Sequence, residues 1–215
     1  MNINSELQRI KEIISILKKT YPEAKTALRF STPLELLIAT ILSAQCTDKR
    51  VNKVTGTLFV HYPSAKAYAQ ADPAELEQAI RPTGFFHNKA KNIKACCQQL
   101  ENTFHGEVPN RMEDLTQLPG VGRKTANVVL GNAFNIPALV VDTHVKRVAA
   151  RLGFIQQKDP DKIEQELSRI IPKEEWIQFS HLLIFHGRNI CKAPKPLCPQ
   201  CPLDKLCPSY SLFVR

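Results

Sequence analysis

Lys124 stands where the segment Leu118-Pro119-Gly120-Val121-Gly122-Arg123-Lys124-Thr125 turns into a helix, and an amine in that place can grip a phosphate or attack an electrophilic carbon. Pro119 pre-sets one backbone angle, while Gly120 and Gly122 can take positive φ, so the bend leaves amide N–H groups pointing outward toward an anion. Arg123 and Lys124 then open the helix. The positive end of the helix dipole disfavours cations there by a few tenths to about 1 kcal/mol unless a phosphate or a chemical role compensates. An ordinary interhelical loop explains the glycines but not the two cations. Eighteen residues after Lys124, the apolar run Ala138-Leu139-Val140-Val141 gives way to Asp142-Thr143-His144. On the plain reading Asp142 caps the next helix. Paired with Lys124, it is a carboxylate that takes the amine's proton and leaves a nucleophile.

A second constellation lies near the carboxyl end. Cys191, Cys198, Cys201 and Cys207 fall within seventeen residues dense in proline, with gaps of six, two and five residues between them. Such a stretch is too short and too proline-rich to bury a core, and a metal centre held by four thiolates would organise it. Zinc sites present two closely spaced cysteine pairs, whereas here only Cys198 and Cys201 are so spaced; spacing leaves zinc and an iron–sulfur cluster nearly even. Cys46, Cys96 and Cys97 lie in helical segments with apolar neighbours and read as small core residues.

The elements that must position these groups are helical. Ile3, Leu7, Ile10, Ile14 and Leu17 follow the spacing of one apolar face, and Tyr21-Pro22 stops that helix. Thr32-Pro33-Leu34-Glu35 and Asp72-Pro73-Ala74-Glu75 each combine a cap, a proline at the first helical position and a glutamate that can reach back; Asp159-Pro160-Asp161 has the cap and the proline. Segments 48–61, 87–104, 111–118, 123–134, 143–152 and 172–186 complete an all-α fold. The strand candidate 138–141 lacks a partner and reads as a buried lead-in. No linker is visible, so a second domain must be built from the two chain ends.

The chain has 215 residues, 43% of them hydrophobic, enough for one good core or two small ones. Its net charge of +9 points to a polyanionic partner. Seven cysteines without a secretory signal or a membrane-spanning run argue for thiols in a cytoplasmic protein with no membrane partner.

The residues Leu-Pro-Gly-Val-Gly-Arg-Lys-Thr-Ala-Asn at 118–127, Val-Asp-Thr-His at 141–144 and the four-cysteine tail resemble endonuclease III, over nearly the whole chain. The likeness extends to Leu42-Ser43-Ala44-Gln45 with Thr47-Asp48, and to His186-Gly187-Arg188. It implies a helix-hairpin-helix DNA glycosylase with abasic-site lyase activity, acting on oxidised pyrimidines such as thymine glycol in damaged double-stranded DNA. Two helical domains are then expected with a DNA-binding cleft between them. One is a central six-helix domain over 23–135, with the hairpin motif at about 111–133; the other combines 1–22 with 136–215 and carries a 4Fe-4S cluster on Cys191, Cys198, Cys201 and Cys207, with zinc as the alternative. Lys124 matches the nucleophile and Asp142 the catalytic carboxylate. Gly120, Val121, Gly122, Arg123 and Thr125 of the hairpin, with Arg188, match DNA-backbone contacts. Gln45 and Phe85 match the positions that fill the space left by an extruded base; Phe85 stands where leucine is frequent and Cys46 where alanine is. A bacterial-type monomer associated with the nucleoid is implied. The rival readings are a pyrimidine-dimer or mispair glycosylase of the same superfamily, and a non-catalytic hairpin module that only grips DNA.

Overall fold

A computed structural model of the chain describes residues 3–214, and every regular element among them is helical. The chain divides into two compact units. One is Thr26–Ile136; the other joins the chain up to Lys25 with the chain from Pro137 onward.

The unit Thr26–Ile136 contains α2 (Pro33–Leu42), α3 (Asp48–His61), α4 (Ala65–Gln70), α5 (Pro73–Ile80), α6 (Phe86–Phe104), α7 (Met112–Leu115) and α8 (Arg123–Ala133). Helix α2 is apolar on all sides because it is enclosed: Leu36, Leu37, Ile38, Ala39 and Leu42 are fully buried, and it packs on α3, α6 and α8. Its start follows from the sequence. Thr32 Oγ1 accepts the Glu35 amide at 3.2 Å, Pro33 occupies the first turn, and Glu35 Oε2 reaches back to accept the Ser31 amide at 2.5 Å. Asp72 caps α5 in the same manner, through Oδ1 to the amides of Ala74 and Glu75. Helix α6 carries the centre of this unit, with Ile93, Cys96, Cys97 and Leu100 fully buried. Burial pushes the Cys96 thiol up to about 12, so it stays protonated and inert.

The other unit contains α1 (Ile3–Thr20), α9 (Thr143–Arg151), α10 (Pro160–Ile170), α11 (Trp176–Asn189) and the short α12 (Tyr210–Phe213). Ile10, Ile13 and Leu17 of α1, Val145 and Val148 of α9, Leu167 of α10, and Phe179, Leu182 and Leu183 of α11 share one core. Of the stripe expected on α1, the Ile3 side chain lies outside the described residues, and Leu7 is exposed. Asp159 caps α10 through Oδ1 to the amides of Asp161 and Lys162. Ala138–Val141 is buried and forms no strand.

Four details depart from the sequence reading. Helix α4, capped by Ser64, is only six residues long, too short to show a period. Helix α7 ends at Leu115 and not at 118, because the following residues are spent on the turn into Pro119-Gly120. A tight 3-10 turn occupies Lys173–Glu175, so α11 begins at Trp176 and runs past His186 to Asn189. Cys46 is not a core residue: it sits half-buried in the turn between α2 and α3.

Candidate active site

The hairpin joins α7 to α8. Val121 N–H donates to Leu118 O at 3.0 Å, closing a four-residue turn with Pro119 and Gly120 at its centre. Gly120 has φ +76, the left-handed angle a turn with proline before it requires. A Cβ at Gly120 would also lie 2.8 Å from Asn92 Cβ on α6, so both backbone angle and space demand glycine there. Gly122 corrects the sequence reading. Its φ of −88 is ordinary extended backbone, as befits the residue preceding α8, and an added Cβ would meet nothing within 4 Å. Its lack of a side chain therefore answers no internal constraint; it leaves the first turn of α8 open to an approaching molecule.

That first turn has no side-chain cap and no acidic residue. Arg123 and Lys124 are exposed on it and Thr125 is half-buried. Leu118 and Val121 are buried and anchor the bend, with the Val121 amide spent on closing it. The hairpin thus presents helix-terminal amides and a primary amine together.

Asp142 lies in the other unit, at the start of α9. The buried lead-in Leu139–Val141 and the bond from Val140 N–H to Ser180 Oγ at 3.0 Å fix the approach of the chain. Asp142 Oδ1 accepts the amides of His144 and Val145, both at 2.8 Å, while its second oxygen takes no part in the cap. The capping reading is thereby correct, and it leaves half of a carboxylate available for other work.

Gln45 and Phe85 both sit in exposed loops of the Thr26–Ile136 unit and both adopt left-handed backbone, φ 53 and φ 49. Phe85 is 64% exposed, which rules it out as core. A non-glycine residue in that region costs about 1–2 kcal/mol; His105 and Asn135, in other loops, share it.

Cys191, Cys198, Cys201 and Cys207 line a single cavity, with Val148, Leu152, Ile190, Pro196 and Phe213. Among the described residues, no group of three or more His, Cys, Asp or Glu is arranged to hold a metal ion. Burial, with the other sulfurs, pushes the Cys201 thiol up to about 11, against a bond from the Leu203 backbone. Cys198 and Cys207 are likewise raised, by burial first. Four thiolates here would repel one another unless a cationic centre lay between them.

Of the polar groups around the cysteines, the sequence singled out only His186, within His186-Gly187-Arg188, and not the two arginines. Arg151 donates to Cys191 Sγ at 3.3 Å and to Lys192 O at 2.8 Å, and stacks over Phe213. Arg147 donates to Cys191 O at 3.0 Å and Gly187 O at 2.9 Å. His186, buried and therefore pushed down to about 4, contacts Tyr21 through Nδ1 at 3.1 Å and Cys201 Sγ through Nε2 at 3.6 Å. The only signal for the arginines was the i, i+4 placement of Arg147 and Arg151 on one face of α9. Arg188 is exposed at the end of α11.

Residues 38–173 match the HhH-GPD superfamily of base excision DNA repair proteins, well over half of the chain. The chain is 56% identical over 206 residues to endonuclease III of Synechocystis sp., covering 95% of this chain and 94% of that one. It is 42% identical to endonuclease III of Escherichia coli K12, covering 91% and 93%. A solved non-covalent endonuclease III–DNA complex is similar at TM-score 0.91 and 48% identity, covering 96% of this chain and 97% of that one. A trapped endonuclease III–DNA covalent intermediate is similar at 0.92 and 48%, covering 97% and 99%. With a glycine-bent hairpin that presents Lys124, an aspartate spent only in part on its cap, and likeness along nearly its full length, the chain belongs to the endonuclease III family of the HhH-GPD superfamily.

Proposed function

We propose that Lys124 is the covalent nucleophile and Asp142 its proton acceptor in this base excision DNA glycosylase and abasic-site lyase, whose partner is damaged duplex DNA. The observation that carries the assignment is the open first turn of α8, where Lys124 stands exposed with no acidic neighbour in that turn. Backbone amides of Gly120 and Gly122, with Arg123 and Thr125, hold the phosphate flanking the extruded nucleotide, while Val121, whose own amide closes the turn, holds the bend in shape for that contact. Arg188 contributes a further backbone contact.

The neutral amine of Lys124 forms an N–C1′ bond as the base leaves with the glycosidic electron pair and a proton. The sugar ring then opens, its C1′–O4′ pair going to O4′, to give the Schiff base. Loss of a C2′ proton feeds electrons toward C3′ and expels the 3′ phosphate, which cuts the strand; water then releases the enzyme. Asp142 takes the proton that frees the amine, and its negative charge opposes the positive charge that develops on the sugar. Oxidised pyrimidines of the thymine glycol kind are the substrates we assign, with Gln45 and Phe85 filling the vacated stack. The domains expected at 23–135 and at 1–22 with 136–215 fall within a few residues of the compact units Thr26–Ile136 and its complement, the first carrying the hairpin and the second the cysteine loop.

Cys191, Cys198, Cys201 and Cys207 hold a 4Fe-4S cluster. The support is that all four cysteines line one cavity, with an N–H···S bond from Arg151 to Cys191. Such a cluster would supply the positive charge that lets the thiols ionise and would fix the loop that bears Lys192 and Lys195.

Borohydride trapping on an abasic duplex tests the chemistry. The unaltered chain forms a covalent adduct; Lys124→Gln forms none yet still binds the duplex. An undiminished adduct with Lys124→Gln removes the assignment. A panel of duplexes with one defined lesion each tests the substrate class, and preference for a pyrimidine dimer over thymine glycol overturns it.

A further inference from the structure

Lys89 is an oddity in a basic protein: a lysine only 5% exposed, in the first turn of α6, with no carboxylate on its ammonium. Its Nζ instead donates to Leu42 O at 2.8 Å and to Thr83 O at 2.9 Å. These carbonyls end two different elements. Leu42 is the last residue of α2, and Thr83 is the last residue of the 3-10 turn Arg81–Thr83. Each is followed at once by an exposed loop holding a left-handed non-glycine residue, Gln45 three positions after Leu42 and Phe85 two positions after Thr83. The Lys89 amide donates to Phe85 O at 3.1 Å, the first intrahelical bond of α6, so the ammonium and the helix start meet the same loop.

A charge removed from water is costly, and a hydrophobic residue would fill the same space more cheaply. An ammonium, with three donors on a long stem, can bind two carbonyls of separate loops at once, and no apolar side chain can. Carbonyls at helix ends carry partial negative charge that compensates the ammonium in part. Burial lowers the lysine's pKa from its usual value, with nearby Cys46 acting against that.

We propose that Lys89 is a positioning residue that straps the Gln45 and Phe85 loops into one rigid wedge, setting how efficiently the enzyme extrudes a nucleotide from the duplex. The proposal rests on the reading of Gln45 and Phe85 as wedge residues. Lys89 acts through those loops and touches neither the sugar nor the base.

The test compares the unaltered chain with Lys89→Met and with the double variant Gln45→Ala/Phe85→Ala. Extrusion is read by 2-aminopurine fluorescence beside the lesion, and chemistry by borohydride trapping on a single-stranded abasic oligonucleotide, which needs no duplex opened. Lys89→Met should lower extrusion and single-turnover base release from duplex at least tenfold, leave single-strand trapping within twofold, and cost nothing further in the double-variant background. Normal extrusion by Lys89→Met while the double variant is impaired overturns the strap and leaves the wedge reading standing. Normal extrusion by the double variant overturns the wedge reading itself. An equal loss on the single strand assigns Lys89 to general stability and overturns the proposal. Circular dichroism checks folding, and Lys89→Leu, which likewise has no donor for the two carbonyls, carries the same comparison if Lys89→Met does not fold.

Discussion

Asp142 holds a helix end and, as proposed, takes a proton, and two substitutions separate these tasks. Its Oδ1 accepts two amides at 2.8 Å in a half-buried setting, which places the cap in the upper part of the usual range, about 1–2 kcal/mol. Asp142→Ala removes both bonds and should lower Tm by about 2–8 °C, at about 2–4 °C per kcal/mol for a chain of this size. Asp142→Asn keeps an amide oxygen where Oδ1 stood, so its Tm should fall within about 1–2 °C of the unaltered chain, since Asn caps about as well as Asp. Neither variant keeps a basic carboxylate. A positioned general base contributes about 10²–10⁴-fold, or about 3–5 kcal/mol of barrier, so both should lose that factor in single-turnover base release and in the rate of borohydride trapping. Thermal melts and quenched-flow gels on one lesion duplex read both quantities. Trapping by Asp142→Asn at the unaltered rate would show that the carboxylate serves only as a cap. A rate loss that tracks Tm across the two variants would equally reduce Asp142 to a helix cap.

Gly120→Ala should destabilise the Thr26–Ile136 unit by more than about 1 kcal/mol and weaken DNA binding, since its φ of +76 and the 2.8 Å approach to Asn92 both oppose a methyl. Gly122→Ala meets nothing, so Tm should hold or rise slightly, while affinity for duplex falls if a phosphate approaches the bare turn; unchanged affinity would exclude that approach. Purified protein should be yellow-brown and contain iron. Arg151→Leu, which removes the N–H···S bond to Cys191, should speed bleaching of the visible band under mild oxidant at least several-fold. Colourless, folded and active protein with one zinc would overturn the cluster, and bleaching at the unaltered rate would deny Arg151 its part in protecting it.

Much of the architecture was legible because its signals are local. A cap followed by proline at Thr32-Pro33, Asp72-Pro73 and Asp159-Pro160 starts a helix wherever it occurs, since each cap bonds amides only two or three residues ahead. The bend at Pro119-Gly120 was legible for the same reason. Gly122 misled because a glycine's permission to take positive φ is not a requirement; only the angle of −88 and the empty space around it reveal a different use. Cys46 misled because Ser43, Ala44 and Gln45 are compatible with a continued α2, whereas the helix ends at Leu42 and the chain turns outward.

The amino-acid sequence by itself determined the all-helical class, the hairpin that presents Lys124, the cap at Asp142 and the four thiols of the tail, each specified by residues within a few positions of one another. Only the tertiary structure decided which polar groups stand around those thiols, and that Lys89 bridges Leu42 and Thr83 across 47 and 6 residues of chain. The physical reason is separation: hydrogen bonds between distant segments, like those of Arg147 and Arg151 to Cys191, leave no periodicity in the chain and exist only once burial has brought their ends together.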